Sequence, residues 1–205
     1  MKEYKKFKNK ADMGGNRMNR FWGHLKTITR HKILVTKGCI KIGLYKQGLL
    51  HDLSKYSPVE FLAGVKYYQG YRSPINREKE VKGYSLGWLH HKGRNKHHFE
   101  YWIDFSLVPG EKMSGVKMPR RYLAEMFIDR ISAGKIYKGE NFTLADPLQY
   151  FLDGKDHCVM HKDTADMLEK LLTMYRDKGE EYTFQYMKKV FLKNPDADYG
   201  NEKNV

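Results

Sequence analysis

Apolar side chains recur every three or four positions through most of this 205-residue chain, and strict alternation of β-branched residues is nearly absent. That periodicity commits the chain to an all-α fold. From Arg20 to about Gly43, Ile28, Leu34, Val35 and Ile42 share one helical face, while Lys26, Lys32 and Lys37 lie largely away from it. Gly43 and Gly48 bracket a short turn. Ser57-Pro58-Val59-Glu60 reads as a helix start, with a serine cap, proline at the first helical position and a glutamate reaching back. The helix it opens runs to about Gly70. Segment 71–82 is polar, contains Pro74 and reads as a loop. A helical or irregular stretch, 83–105, ends at Val108-Pro109-Gly110. Pro119 opens a helix to about Tyr137, and Asp146-Pro147 opens a short one that Gly154 closes. Asp163 caps a helix over 164–177 with Met167, Leu168, Leu171, Leu172 and Tyr175 as its apolar stripe, and a last helix covers about 180–193.

Hydrophobic residues make up 40% of the chain, with 3 Trp, 15 Tyr and 10 Phe, enough for a sizeable core. The longest aliphatic runs, such as Ile33-Leu34-Val35, are far too short to span a bilayer. The basic start has no apolar stretch behind it, so it is not a secretory signal. Two cysteines, Cys39 and Cys158, fit a reducing compartment, and the expectation is a cytoplasmic protein without a membrane partner. Residues 1–19 read as a basic flexible arm and 194–205 as a frayed polar tail. The net charge of +14 favours an anionic partner, whether nucleic acid, a phosphorylated small molecule or an acidic membrane surface, and does not choose among them. The oligomeric state is not legible.

Seven of the nine histidines fall between positions 24 and 98, a clustering that needs a reason. His31 follows His24 by seven residues and shares its face with Ile28, Leu34, Val35 and Ile42, so it points into the core. Asp129 lies in the stripe Tyr122, Met126, Asp129, Ala133, Ile136. A carboxylate there costs several kcal/mol unless a cation or strong donors compensate it. A salt bridge would serve, and so would a metal ion, which compensates carboxylate and imidazole together. Between these positions lies the adjacent pair His51-Asp52, placed at a helix or its end. If 83–92 and 97–105 are helical, Tyr84, Trp88 and His91 share one face, and His98, Trp102 and Phe105 another. Those aromatic faces turn inward and make His91 and His98 the first choices as further ligands. His90, His97 and Glu100 are second choices or orienting partners, and Glu100 reads equally as a base or as a surface residue. His157-Cys158-Val159-Met160-His161 has only partial zinc-site spacing and reads as structural or incidental.

The order His31, His51-Asp52, Asp129 resembles the HD-domain superfamily of metal-dependent phosphohydrolases, whose pattern is H…HD…D on an all-helical core. His51-Asp52-Leu53-Ser54-Lys55 is similar to the HD-I-G-K motif of the HD-GYP branch, with Ser54 in place of glycine. The Gly-Tyr-Pro signature of that branch is missing, and with it the ground for expecting a cyclic-dinucleotide substrate. The chain is similar as well to a bacterial family that keeps the His-Asp and paired-histidine elements, a kinship that supplies no substrate. The resemblance covers 20–140. It implies an HD-domain-like helical bundle there, with the helices of 141–193 packed on it as a C-terminal addition. It also implies a centre of two divalent transition-metal ions (Mn, Fe, Co or Zn), with Asp52 bridging. His31, His51 and Asp129 then hold one ion, and two of the later histidines hold the other. Lys55, Lys92 and Arg94 stand beside these ligands in sequence and could neutralise phosphate oxygens. The expected activity is hydrolysis of a nucleotide or other small phosphorylated anion. The alternatives are an HD-type di-iron oxygenase with a similar ligand set and a basic nucleic-acid binder without catalysis. The binder is suggested by the arm and by Lys66-Tyr67-Tyr68-Gln69-Gly70-Tyr71-Arg72.

Overall fold

His24, Ile28, His31, Val35, Gly38 and Ile42 are buried at alternating spacings of four and three residues, and this stripe makes helix α1 (Arg17–Ile42) the spine of the fold. The structure, a computed structural model, describes residues 17–195 and Tyr199. Most of the expected basic arm, 1–16, therefore lies outside the described residues, and its last part, 17–19, belongs to α1. The chain continues through α2 (Tyr45–Leu50), a 3-10 turn (Leu53–Tyr56), α3 (Pro58–Tyr67), α4 (Pro74–Lys82) and α5 (Leu86–Lys92). A second 3-10 turn (Phe99–Trp102) leads into an antiparallel hairpin of β1 (Ile103–Phe105) and β2 (Met113–Gly115), with Asp104 opposite Ser114. Helices α6 (Arg120–Lys138), α7 (Asp146–Lys155) and α8 (Lys162–Tyr186) complete the fold, and α8 runs on into a π turn (Met187–Phe191). The all-α class holds, with the hairpin as its small exception. Among the described residues no helix is long and apolar enough to cross a membrane.

One apolar core joins the N- and C-terminal halves. Val35, Cys39 and Ile42 from α1 meet Leu123, Phe127, Ile128 and Ile131 from α6, and Leu168, Leu171, Leu172 and Tyr175 from α8. Two glycines set how closely the helices approach. A Cβ at Gly38 would stand 2.6 Å from Ile128 Cγ2, and one at Gly48 would stand 2.9 Å from Cys39 Cβ. Hence α6 and α2 both pack on α1 nearly backbone to side chain.

Several expectations need correction. Residues 45–50 are helical, so Gly48 is a packing position rather than a turn. Segment 74–82 is a helix, because Pro74 occupies its first position and needs no N–H there. Ser57 makes no capping bond, and Glu60 is buried elsewhere instead of reaching back. Beyond Lys92 the chain is a turn, a 3-10 turn and a strand, not a helix. Phe105 is 79% exposed and Tyr84 52%, so the inward aromatic faces fail at both ends. The helices expected over 164–177 and 180–193 are continuous, kinked at Gly179 where φ is 80°. Within the tail, Tyr199 is 3% exposed, and its hydroxyl donates to the Met118 carbonyl at 2.5 Å, so that residue is pinned rather than frayed.

Candidate metal centre

Helix packing brings distant polar residues to one place. The close approach of α1 and α6 at Gly38 puts His31 Nε2 2.8 Å from Asp129 Oδ1. Lys32 Nζ donates to the carbonyls of Leu49 (2.7 Å) and His51 (2.9 Å), and Thr36 Oγ1 donates to the Gly48 carbonyl at 2.7 Å. These bonds tie the end of α2 to α1 and aim the His51-Asp52 turn inward. Asp52 has φ 53°, the one non-glycine residue with positive φ among those described. Such backbone is uncommon for a side chain with a Cβ and clusters at functional sites. The His-Asp pair therefore sits in a turn between helical segments.

Two groups of potential ligands meet at Asp52. One is His31, His51, Asp52 and Asp129; the other is Asp52, His91, His97 and His98. Asp52 Oδ2 lies 3.1 Å from His51 Nε2 and 3.8 Å from His31 Nε2. Its Oδ1 lies 3.2 Å from His91 Nε2 and 3.4 Å from His97 Nε2. His31 and His51 face each other through Nε2 at 3.5 Å, and His91 and His98 at 2.9 Å. Ligand atoms about 2.1 Å from a shared ion stand about 3.0–3.4 Å apart in octahedral to tetrahedral arrangements. Three of these six separations fall in that range, and those at 2.9 and 3.5 Å lie 0.1 Å outside it. Asp52 Oδ1 and His97 Nε2 are buried without a hydrogen bond of good geometry, and an ion would satisfy their lone pairs, while Asp52 Oδ2 has Lys55 beside it. These buried histidine–aspartate clusters could hold a metal ion.

Two glutamates orient the imidazoles. Glu125 Oε1 accepts from His51 Nδ1 at 2.9 Å and from His97 Nδ1 at 3.1 Å. Glu60 accepts from His91 Nδ1 at 2.7 Å through one oxygen and from His90 Nδ1 at 2.6 Å through the other. An ionised carboxylate only accepts, so it holds a proton on Nδ1 and turns Nε2 toward the centre.

The electrostatics are those of a dense buried charge cluster. Burial would raise the Asp52 carboxyl, but His51, Lys55 and His91 hold it well below the usual carboxylate range. Burial acts the same way on Asp129, where the bond from His31 and the charges of His31 and His51 prevail. Burial works against a charged His51, yet Asp52 and Glu125 raise its pKa to about 9. His98 goes the other way, lowered well below 6.5 by burial and by His97 and His91.

The structure thus brings together His31, His51, Asp52, His91, His98 and Asp129. It adds His97, which is 2% exposed and as central as His98. Both belong because 93–98 is a tight turn, which presents adjacent side chains to one point as a helix cannot. His90 is an outer residue on Glu60, and Glu100 lines a cavity wall without joining either group. Lys55 Nζ lies 2.6 Å from Asp52 Oδ2. Lys92 and Arg94 do not line the cavity, and Arg94 Nη1 bonds the His90 carbonyl. Sequence reasoning missed Glu125 and Glu60. The available signal for Glu125 was its place four residues before Asp129, on the same helix face. His161 serves as the cap of α8, accepting from the Asp163 N–H, and Cys158 donates to the Gly154 carbonyl, so that segment forms no ligand group. Of the proposed nucleic-acid aromatics, Tyr67 is buried, Tyr68 bonds Thr27, and Arg72 is paired with Glu80.

A cavity of ≈ 860 Å³ opens on the centre, lined there by His31, Lys55, His91, His98 and Asp129. Trp88, Phe99, Tyr150 and Phe151 give it apolar walls. A chamber of that size accommodates a small-molecule ligand. Comparison with curated proteins and with solved structures finds no match to this chain. Residues 20–174 do match one family profile, and that stretch holds every ligand candidate; the chain belongs to DUF5662, a family of unknown function.

Proposed function

We propose that this chain is a metal-dependent phosphohydrolase acting on a nucleotide or another small phosphorylated anion through a binuclear His/Asp centre. The observation that carries the reading is Asp52, which turns one oxygen toward each of two histidine-rich groups. The resemblance to the HD-domain superfamily supports it, as does a donor set of imidazole and carboxylate, which suits Mn, Fe, Co or Zn. Held there, two divalent ions supply Lewis acidity toward a phosphoryl oxygen and acidify water at neutral pH. The protein's own part is orientation and charge. Glu125 and Glu60 hold the imidazoles in register, and Lys55 keeps a cation beside Asp52 at the cavity floor. The apolar walls exclude bulk water and strengthen those interactions.

Elemental analysis of protein purified without chelators, followed by assay of nucleotides and generic phosphoesters with each metal, tests this. Wild type is expected to carry metal and release phosphate, and Asp52→Ala and Asp129→Ala to carry little metal. Equal metal in those variants overturns the centre. Oxygen uptake without phosphate release overturns hydrolysis in favour of a di-iron oxygenase.

A further inference from the structure

The wall of the same cavity carries cations that the metal ligands do not use. Lys55, Arg72 and Lys138 line it, but each is paired, with Asp52, Glu80 and Asp146 respectively. Arg130 and Lys79 differ. Among the described residues neither has an ion-pair partner. Arg130 Nε is buried without a hydrogen bond, and the guanidinium carbon stands 5.8 Å from the Phe151 ring centroid. Lys79 Nζ stands 5.5 Å from the Trp88 ring centroid. Glu100 shares this wall and feels the charge of both, but bonds neither. An unsatisfied buried guanidinium N–H is costly, and an incoming acceptor recovers that cost.

Position gives the cation a direction. Arg130 follows Asp129 on α6, so the two side chains leave the helix about 100° apart. Asp129 turns to His31 at the centre, while Arg130 turns to Phe151 on α7. An aromatic face under a guanidinium keeps its plane fixed while its N–H edge stays available for bidentate bonding.

We propose that Arg130, assisted by Lys79, forms an anion subsite for a second, non-reacting phosphate or carboxylate of the substrate. The proposal rests on the phosphohydrolase reading for the reacting group, though not for anion binding itself. It narrows the substrate class to small molecules with anionic groups at two places: bisphosphates and diphosphates on one side, phosphorylated carboxylic acids on the other.

The test is calorimetric titration of the full-length protein as purified, with metal content measured alongside. The probes are methylphosphonate, methylenediphosphonate and phosphonoacetate. Wild type is expected to bind at least one two-headed probe more tightly than methylphosphonate. Arg130→Gln should weaken that probe about tenfold or more while leaving methylphosphonate binding and metal content unchanged. Arg130→Lys keeps the charge, loses the fork and should fall between. Lys188→Gln/Lys189→Gln, exposed and away from the cavity lining, should match wild type. The tighter two-headed probe identifies the second group as phosphate or carboxylate. Two-headed probes that bind no better than methylphosphonate, or that bind both Arg130 variants as tightly as wild type, overturn the subsite. Loss on Arg130→Gln in a protein that carries no metal leaves the subsite standing and removes the hydrolase.

Discussion

At the scale of single residues, the glutamates behind the imidazoles carry much of the design. Glu125 accepts hydrogen bonds from His51 and His97, one from each group that meets at Asp52, and so orients both at once. Glu125→Gln keeps the shape but loses the charge that fixes both tautomers. Metal affinity should fall by about 10–100-fold, read by competition with a chromophoric chelator, with every ligand still present. An unchanged affinity would show that the imidazoles need no such support. His31 and Asp129 were legible in sequence because each interrupts an apolar stripe. Glu125 and Glu60 were not, since a glutamate on a helix ordinarily means a solvated face and only tertiary packing buries these two. The ranking of His98 over His97 rested on a helical phase, which does not apply where the backbone turns.

Among the elements, the contact between α1 and α6 decides whether a centre exists, because it alone joins His31 to Asp129. Its close point is Gly38 against Ile128. Gly38→Ala improves helix propensity, yet its methyl group must displace Ile128 and wedge the helices apart. The net effect should be a loss of about 1–3 kcal/mol in chemical denaturation, with metal content reduced as well. A gain in stability with full metal would show that the interface yields easily. The long helices were readable from periodicity and their starts. The segment around Pro74 was misread because proline marks both a break and a first helical turn, and the neighbouring sequence does not distinguish them. The three-residue strands are too short for alternation to register, and their pairing depends on the chain returning after the loop.

For the whole molecule, His24 is an expected source of acid sensitivity outside the candidate ligands. His24 is buried against Phe61, Tyr68 and the cleft left by Gly64, and burial, with some help from Lys55, lowers its pKa from 6.5 to about 4. Between those values the unfolded chain binds a proton that the folded one refuses. Nothing is lost above pH 6.5, and stability falls as pH drops toward 4, by at most about 3 kcal/mol from this group. Urea denaturation across that window should show His24→Gln starting less stable at pH 7 but falling less steeply than wild type. Parallel slopes would assign the acid sensitivity elsewhere. The two ligand groups, finally, have unlike origins. His31, His51 and Asp129 come from segments far apart in sequence, joined by the core, whereas His91, His97 and His98 lie on one short stretch. A lineage could gain or shed that second half by remodelling the end of α5 and the turn after it, with Asp52 left in place to serve either version. The first half has no such freedom, since altering it means redesigning how the helices meet.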